Sequence, residues 1–486
     1  MDKFYVTTSI AYTNAPPHLG YVLELVQADI LARHHKILGK DVFFLTGTDE
    51  HGQKISKAAE RAGKNPKEFT DEISSKFKEL DRALNLSNDD FIRTTDRERH
   101  WPVVQKVWQK LKENDDIYKK KYQGLYCIGC EAFITKKDLE DGKCKIHQKE
   151  PEVVEEENYF FKLSKYSKEI EKIIRGDKVK IIPDGRKNEM LSFAGQGLED
   201  VSFSRPRKDL SWGIPVPDDD AQTVYVWADA LVNYISALGG FKVEKFKKYW
   251  PPDVHFLGKD ILRFHATIWL GMLLSLKLAL PKNIFVHGFI TSGSQKMSKS
   301  LGNVVDPFDL VKKYDADAIR YFLLREIPTT EDGDFTEEKF IERYNADLAG
   351  GIGNLVARVV TLAEKSKIQN QKSKNTIQNS KTEEKIKKIK KSYQESLGNF
   401  KLNEALIVIW DLISFCDKYI NDEKPWSLDA AQDKEKYDKI IGDLLIAISE
   451  IAELLKPFLP ETSEKILRQL QSFKSEPLFP RVDKGF

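Results

Sequence analysis

Four clusters in this sequence carry side chains that could do chemistry. The first is Tyr12-Thr13-Asn14-Ala15-Pro16-Pro17-His18-Leu19-Gly20-Tyr21. A β-branched and aromatic run, Phe4 to Ile10, precedes it, and an apolar-faced segment, Leu23 to Arg33, follows it. That order predicts strand, tight loop and helix. Backbone N–H groups and the helix dipole at such a mouth favour phosphate. His18 can donate to a phosphate oxygen, and Gly20 lets a ligand approach the backbone closely. The second cluster, Thr46-Gly47-Thr48-Asp49-Glu50-His51-Gly52, follows another strand-like run, Asp41 to Leu45. Asp49 could pair with an ammonium and His51 could line the same cleft. Equally, Thr48 or Asp49 could simply cap a helix near 54–62. The third is Gly293-Ser294-Gln295-Lys296-Met297-Ser298-Lys299-Ser300. Two ammonium groups three residues apart on a Gly/Ser loop can track charge that develops during phosphoryl displacement. The alternative is an ordinary solvated basic loop, which Met297 would anchor. The fourth is Cys127-Ile128-Gly129-Cys130 with Cys144-Lys145-Ile146-His147, holding three of the four cysteines in the chain. C-x₂-C with C-x₂-H is tetrahedral zinc spacing, and four ligands close the shell, so the ion would be structural. The alternative is two unrelated thiol pairs. A small loop-rich insert has little core of its own, so metal would supply much of its folding energy. Cys416 lies far off in a helical pattern and reads as core.

The elements that must position these groups alternate. Strand-like and helix-like runs follow one another through residue 113, with amphipathic helices expected over 71–84 and 97–113, which predicts an open parallel sheet. Ligands of such sheets sit at the carboxyl ends of the strands. The chain changes character at Tyr122, where the cysteine pairs begin. The β-α-β pattern resumes with Thr223 to Ala230, then Val254 to Leu257 ending in Gly258-Lys259-Asp260, then Asn283 to Val286 ending in His287. Pro183 to Arg186 reads as a turn and Asp218 to Asp220 as a solvated loop. Beyond Asn303 the pattern is helical, with amphipathic runs over 340–362, 403–419 and 437–455. The expected architecture is therefore α/β: a Rossmann-like parallel-sheet domain split by a zinc-bearing insert, followed by an all-α bundle. The expected boundaries are 1–115 and 223–290 for the two halves of the sheet domain, 116–222 for the insert, 291–348 for the lysine-loop region and 349–486 for the helices.

Composition sets the class. With 41% hydrophobic and 31% charged residues the chain is an ordinary globular protein, of roughly three domains at about 150 residues each. A net charge of +2 neither demands nor excludes a nucleic acid. The few cysteines fit a reducing, cytoplasmic setting. The N-terminus carries no signal pattern. The most apolar run, Ile268 to Leu276, falls short of the roughly 20 residues of a membrane span. From Glu364 to Lys391 ten lysines face three glutamates, either as a solvated face or as sequence-independent attraction to RNA phosphate.

His18-Leu19-Gly20-Tyr21 and Lys296-Met297-Ser298-Lys299-Ser300 resemble the two defining motifs of the class I aminoacyl-tRNA synthetases. The second motif matches in full. The first departs at Tyr21, where the family usually has a second His. Within the class the chain most resembles the methionyl-tRNA synthetase family, through Thr46 to Gly52, Tyr225-Val226-Trp227-Ala228-Asp229-Ala230, Gly258-Lys259-Asp260 and the single knuckle pair. The insert is too small for the editing domain of the valine, isoleucine and leucine enzymes. A cysteine-type synthetase would place zinc in the active site rather than in an insert. A synthetase-derived RNA-binding protein without activation is the reading that Tyr21 favours.

The resemblance implies activation of L-methionine by ATP, accompanied by Mg²⁺, to methionyl-adenylate, then transfer to the 3′ end of tRNA(Met). It implies His18, Tyr21 and Lys299 as catalytic groups, and His18, Gly20, Gly258, Asp260, Lys296 and Lys299 around ATP. It implies Asp49 against the methionine ammonium, with Tyr12, Trp227, Ala230, Leu231, Tyr234 and His287 completing the amino-acid pocket. One structural Zn²⁺ would be held by Cys127, Cys130, Cys144 and His147. Asn354, Arg358 and Trp426 would read the anticodon. No C-terminal dimerising module follows, so a monomer with no membrane partner is expected.

Overall fold

A computed structural model describes residues 2–134, 138–146, 148–297, 302–366, 379–428 and 433–483, apart from the side chains of Ala132, Lys296 and Ser366. The chain divides into two units. The first comprises Met1–Pro17, His35–Arg82 and Ser87–His287, and the second His18–His34, Ala83–Leu86 and Gly288–Phe486.

The first unit is built on a parallel sheet. Its strands follow the order Lys180–Ile182, Asn283–His287, Val254–Gly258, Lys3–Thr7, Asp41–Asp49. Ala11–Tyr12 continues the line of Lys3–Thr7 along Asp41–Asp49, and Asp90–Arg93 takes the other edge. Phe4-Tyr5-Val6, Val42 to Leu45 and Ile284-Phe285-Val286 are buried without alternation, the pattern of strands covered on both faces. Strand order reverses between Lys3–Thr7 and Val254–Gly258, and the crevice beyond such a switch point is where open α/β sheets bind ligands.

The insert is antiparallel. Val201–Ser202, Glu152–Phe161, Ile117–Cys127 and Ala132–Ile134 form one sheet, and Ser204–Pro206, Asp219–Val224 and Pro215–Val216 another. Four expectations change here. Thr223 to Ala230 does not resume the parallel sheet: the strand ends at Val224, pairs antiparallel with Ser204–Pro206, and a helix begins at Val226. β-branched residues announce a strand but not the sheet it joins. Asp219 lies in that strand rather than in a solvated loop, with Lys119 2.8 Å from its carboxylate. Conversely, Lys180–Ile182, inside the range read as insert, pairs with Asn283–His287. Residues 184–186, expected as a turn, open the helix Asp184–Gly195.

The second unit is mainly helical, with a small sheet of Ile290–Ser292, Gln295–Lys296 and Gly333–Phe335. The helix after the first motif spans Leu19–Ile37. Its sequence pattern predicts one apolar face, yet every residue from Val22 to Ala32 is buried. Two of its polar members, Gln27 and Asp29, make contacts with neighbouring segments. Gln27 Nε2 donates to the Thr329 carbonyl at 3.0 Å. Asp29 accepts from Arg33 Nε at 2.7 Å and lies 2.8 Å from Arg320 Nη2. Arg320 is wholly buried and also donates to the carbonyls of Phe458 and Pro457. Among the described residues one helical run, Glu337–Lys365, is long and apolar enough to cross a membrane. A core helix passes the same test, and Phe340, Leu348, Leu355 and Val359 in it are buried. Helices Leu402–Glu423, Lys434–Leu455 and Pro460–Ser472 pack beside it.

Candidate active site

The strand Asp41–Asp49 ends on Asp49, and Tyr12 stands opposite it in register. The Thr13 amide donates to the Asp49 carbonyl at 3.0 Å, fixing the loop there. The Asp49 side chain is buried, and its Oδ1 has no hydrogen-bond partner. Burial, then the neighbouring carboxylates of Asp229 and Glu131, push its pKa well above the usual carboxylate range. Such a group awaits a cation, which would repay the cost of burying its charge.

His51, two residues on, is held by Asp229. Its Nδ1 lies 2.7 Å from Asp229 Oδ2, while Asp229 Oδ1 lies 2.7 Å from His100 Nε2. His100 Nδ1 is in turn 2.7 Å from Ser236 Oγ. Burial raises the Asp229 carboxyl, but the two imidazoles outweigh it and hold it below its ordinary value. Asp229 lies in the short helix Val226–Ala230, which also carries Trp227 and Ala230. Trp227 stacks on Phe264, with centroids 3.7 Å apart and planes 7° from parallel, and its indole N–H is buried without a partner. Leu231 and Tyr234 are buried just beyond. The Tyr234 hydroxyl lies 2.8 Å from His265 Nε2. Burial lowers His265 to about 4 and His255 well below its ordinary value, so this wall is uncharged at neutral pH. His287 ends its strand opposite Gly258. A Cβ at Gly258 would lie 2.8 Å from Asp260 Oδ1 and 3.8 Å from the His287 ring, so a side chain there would displace the Asp260 carboxylate.

The capping expectation for the Asp49 loop fails. The helix starts at Gln53, with no side-chain cap from its own loop. Instead Glu131, just past the first cysteine pair, accepts from the amides of Gln53 at 3.2 Å and Lys54 at 2.5 Å, and from the Tyr12 hydroxyl at 2.7 Å. A carboxylate there satisfies orphan N–H groups and complements the helix dipole.

In the second unit His18 is exposed at the start of the helix Leu19–Ile37. The Gly20 amide donates to His18 Nδ1 at 3.1 Å. Nδ1 therefore accepts, and a neutral ring carries its proton on Nε2 as a donor. The Leu19 amide donates to the Val305 carbonyl at 3.2 Å, which ties the first motif to the segment after the lysine loop. That loop leaves a hairpin turning at Gly293 and Ser294, both in the left-handed region, with φ of 60 and 62°. Asp334 Oδ1 clamps the turn, accepting from Ser294 N and Thr291 Oγ1, each at 2.6 Å. Ser298, Lys299 and Ser300, and the side chain of Lys296, lie outside the described residues.

The Sγ atoms of Cys127, Cys130 and Cys144 lie within 4.8 Å of one another. Cys130 and Cys144 are 3.5 Å apart, too far for a disulfide of about 2.05 Å. Four ligands at about 2.3 Å from zinc stand roughly 3.8 Å apart, so the spacing fits a tetrahedral ion. Glu131 and Gln148, the residues after the two paired motifs, both turn left-handed, with φ of 50 and 51°. His147, the fourth expected ligand, lies outside the described residues.

In the helical unit Asn354 and Arg358 are one turn apart on Asn354–Ser366. Arg358 donates to Asn421 Oδ1 at 2.9 Å and lies 5.2 Å over the ring of Trp426, which is 52% exposed. The structure thus gathers two of the three expected base-reading side chains, with Asn354 exposed one turn away.

A family described as tRNA synthetases class I (M) matches residues 4–140 and 130–360, and an anticodon-binding domain of tRNA ligases matches residues 379–484. A methionine–tRNA ligase of Thermotoga maritima is 44% identical over 483 residues, covering 98% of this chain and 76% of that protein. The chain belongs to the class I methionyl-tRNA synthetase family. Its fold agrees with that of a Mycobacterium tuberculosis methionyl-tRNA synthetase solved with methionyl-adenylate, at TM-score 0.92 and 33% identity, over 99% of this chain and 100% of the other. A Bacillus subtilis methionine–tRNA ligase is 40% identical, over 99% of this chain and 78% of that protein. In this chain the class I synthetase match is followed by the match to the helical anticodon-binding domain.

Two groups at this candidate site of the synthetase are not legible in its sequence. Asp229 sits inside the stretch Tyr225 to Ala230, but nothing local shows that His51 and His100 converge on it. An acid among Val226, Ala228 and Ala230 is the available signal. Glu131 gives none beyond its place after C-x₂-C.

Proposed function

We propose that this synthetase activates methionine with ATP and charges tRNA(Met), using the residues named above in separate roles. The observation that carries the reading is Asp49, a buried carboxylate with one unpartnered oxygen at the carboxyl end of the strand Asp41–Asp49, beside Tyr12. The methionine ammonium is the cation it takes. Trp227, Ala230, Leu231, Tyr234 and His287 face the thioether, and an aromatic, uncharged wall suits polarisable sulfur. Recognition by such a wall is limited, since one methylene is worth about 1–3 kcal/mol. Homocysteine is the expected near-cognate.

The methionine carboxylate oxygen attacks the α-phosphorus. The bond from that phosphorus to the bridging oxygen breaks, and pyrophosphate leaves. A ribose hydroxyl of the tRNA's terminal adenosine then attacks the carbonyl and AMP leaves. The nucleophile is the substrate's own, so the protein supplies positioning and charge. His18 donates through Nε2 to ATP phosphate, Gly20 and Gly258 let the nucleotide approach the backbone, and Asp260 holds it. Lys296 and Lys299 stabilise the departing pyrophosphate, and Mg²⁺ accompanies ATP. Cys127, Cys130, Cys144 and His147 hold one zinc, which fixes the fold of the insert.

Methionine-dependent pyrophosphate exchange tests the reading, and exchange indifferent to methionine would sink it. Tyr21 stands where the family has its second His, and we assign its hydroxyl to a phosphate. Tyr21→Phe should slow activation roughly 10- to 150-fold, one hydrogen bond to a charged group at about 1.5–3 kcal/mol; an unchanged rate would remove that role. Asn354, Arg358 and Trp426 read the anticodon, and Trp426 gives a stacking plane. Trp426→Ala should lower kcat/KM for tRNA roughly 5- to 150-fold, from about 1–3 kcal/mol of base stacking. Pyrophosphate exchange should not move.

A further inference from the structure

Glu131 belongs to the cysteine knuckle by its backbone and to the amino-acid site by its side chain. Its amide donates to the Ile128 carbonyl at 3.3 Å, closing the Cys127–Cys130 turn, and its left-handed backbone follows directly on Cys130. Glu131 is 5% exposed, and its carboxylate takes the three donors described above, the Tyr12 hydroxyl and the amides of Gln53 and Lys54, together with the Tyr126 hydroxyl at 3.5 Å. Gly52 closes the remaining side. A Cβ there would lie 2.4 Å from the Tyr12 hydroxyl and 3.1 Å from either Glu131 oxygen, on a backbone with φ of 120°.

This arrangement separates two nearby acids. Four N–H and O–H donors and a helix N-terminus satisfy Glu131. Asp49 keeps an oxygen with no partner. An arriving ammonium is therefore directed to Asp49, and Tyr12, fixed through its hydroxyl, stands over it.

We propose that Glu131 is a positioning residue for methionine: it fixes Tyr12 and the start of the helix Gln53–Arg61, and so makes methionine affinity depend on the integrity of the cysteine knuckle. The proposal rests on the reading of Tyr12 as a methionine-pocket residue. It gives the insert a function beyond its own folding.

A double-mutant cycle on the zinc-loaded full chain tests it, read by calorimetric methionine binding and by KM and kcat in pyrophosphate exchange. Losing a charge-assisted hydrogen bond, Glu131→Ala should raise Kd and KM for methionine roughly tenfold or more, with kcat moving less. Glu131→Gln keeps one acceptor and should fall between, serving also if the Ala variant fails to fold. In a Tyr12→Phe background Glu131→Ala should change Kd by a smaller factor than in wild type, since the bond to Tyr12 is already gone and only those to Tyr126 and to the amides of Gln53 and Lys54 are left to lose. Zinc content of both Glu131 variants should match wild type. An equal factor in the wild-type and Tyr12→Phe backgrounds would overturn the coupling and leave the pocket intact. Wild-type Kd in Tyr12→Ala would remove Tyr12 from the pocket and defeat both readings.

Discussion

Asp49→Asn should lower kcat/KM for methionine roughly 30- to several-thousand-fold, because truncating one partner of a buried charge pair costs about 2–5 kcal/mol. Pyrophosphate exchange at varied methionine measures it, and a loss below tenfold would mean that the ammonium is held elsewhere. The same residue sets a pH dependence whose sign differs between binding and folding. Burial, with Asp229 and Glu131 nearby, holds the folded carboxyl well above its ordinary range. The ammonium needs the ionised form, so methionine affinity should improve as pH rises toward that elevated value and level off above it. In the substrate-free chain the proton is bound more tightly when folded than when unfolded. Stability from this group is therefore full below the ordinary carboxylate range, about pH 3.9, and is lost as pH rises through the folded value. A neutral amide at this position removes both dependences. The substrate-free Asp49→Asn chain should melt higher than wild type at neutral pH, while its methionine binding loses the slope attributable to this group. A variant that both binds and melts as wild type would show that Asp49 carries no such strain.

Removing the zinc proposed for the cysteine knuckle should have the other large effect. Elemental analysis of the wild-type chain should find about one zinc per chain, by the four-ligand argument, and Cys127→Ser should lose it. Cys127, Cys144 and Ile134 make a small apolar cluster, with only Leu125, Cys130 and Leu139 packed against it among the described residues. So little core leaves the end of the insert dependent on metal binding, which in zinc-finger peptides reaches about 10–16 kcal/mol in apparent terms. Chelation should abolish amide-exchange protection in Ala132–Ile134 and in the distal part of Ile117–Cys127, while Asp41–Asp49 keeps its own. Unchanged protection after the metal is stripped would remove the structural assignment.

Legibility in the sequence follows the range of the interaction. The parallel sheet could be read because Phe4-Tyr5-Val6, Val42 to Leu45 and Ile284 to Val286 announce themselves by unbroken apolar runs. The ends of those strands then point to Asp49 and His287 without further information. The thiols of Cys127, Cys130 and Cys144 were equally legible, since short-range spacing carries the geometry. Pairings across long separations were not. Lys180–Ile182 joins the main sheet across roughly a hundred residues, and Thr223 joins the insert's sheet despite a strand pattern equal to its neighbours'. Glu131 caps a helix that begins 78 residues earlier, at Gln53. A rule that looks for caps in the preceding loop turns to Thr48 and Asp49 and finds the wrong group. His51, His100 and Asp229 are three separate stretches of chain, and only folding makes them one network.

The helix Leu19–Ile37 restricts anyone who would retool this enzyme. From Val22 to Ala32 it offers eleven consecutive buried positions, with Gln27 and Asp29 committed to partners in the helical unit. A combinatorial library aimed at that stretch would return mostly unfolded clones. Diversity meant to admit methionine analogues with longer or bulkier side chains belongs at Leu231, Tyr234 and His287, the positions proposed above for the methionine pocket. There a change reshapes the wall of the pocket without removing a partner from Asp29 or Arg320, and survivors of selection can report on substrate choice rather than on solubility.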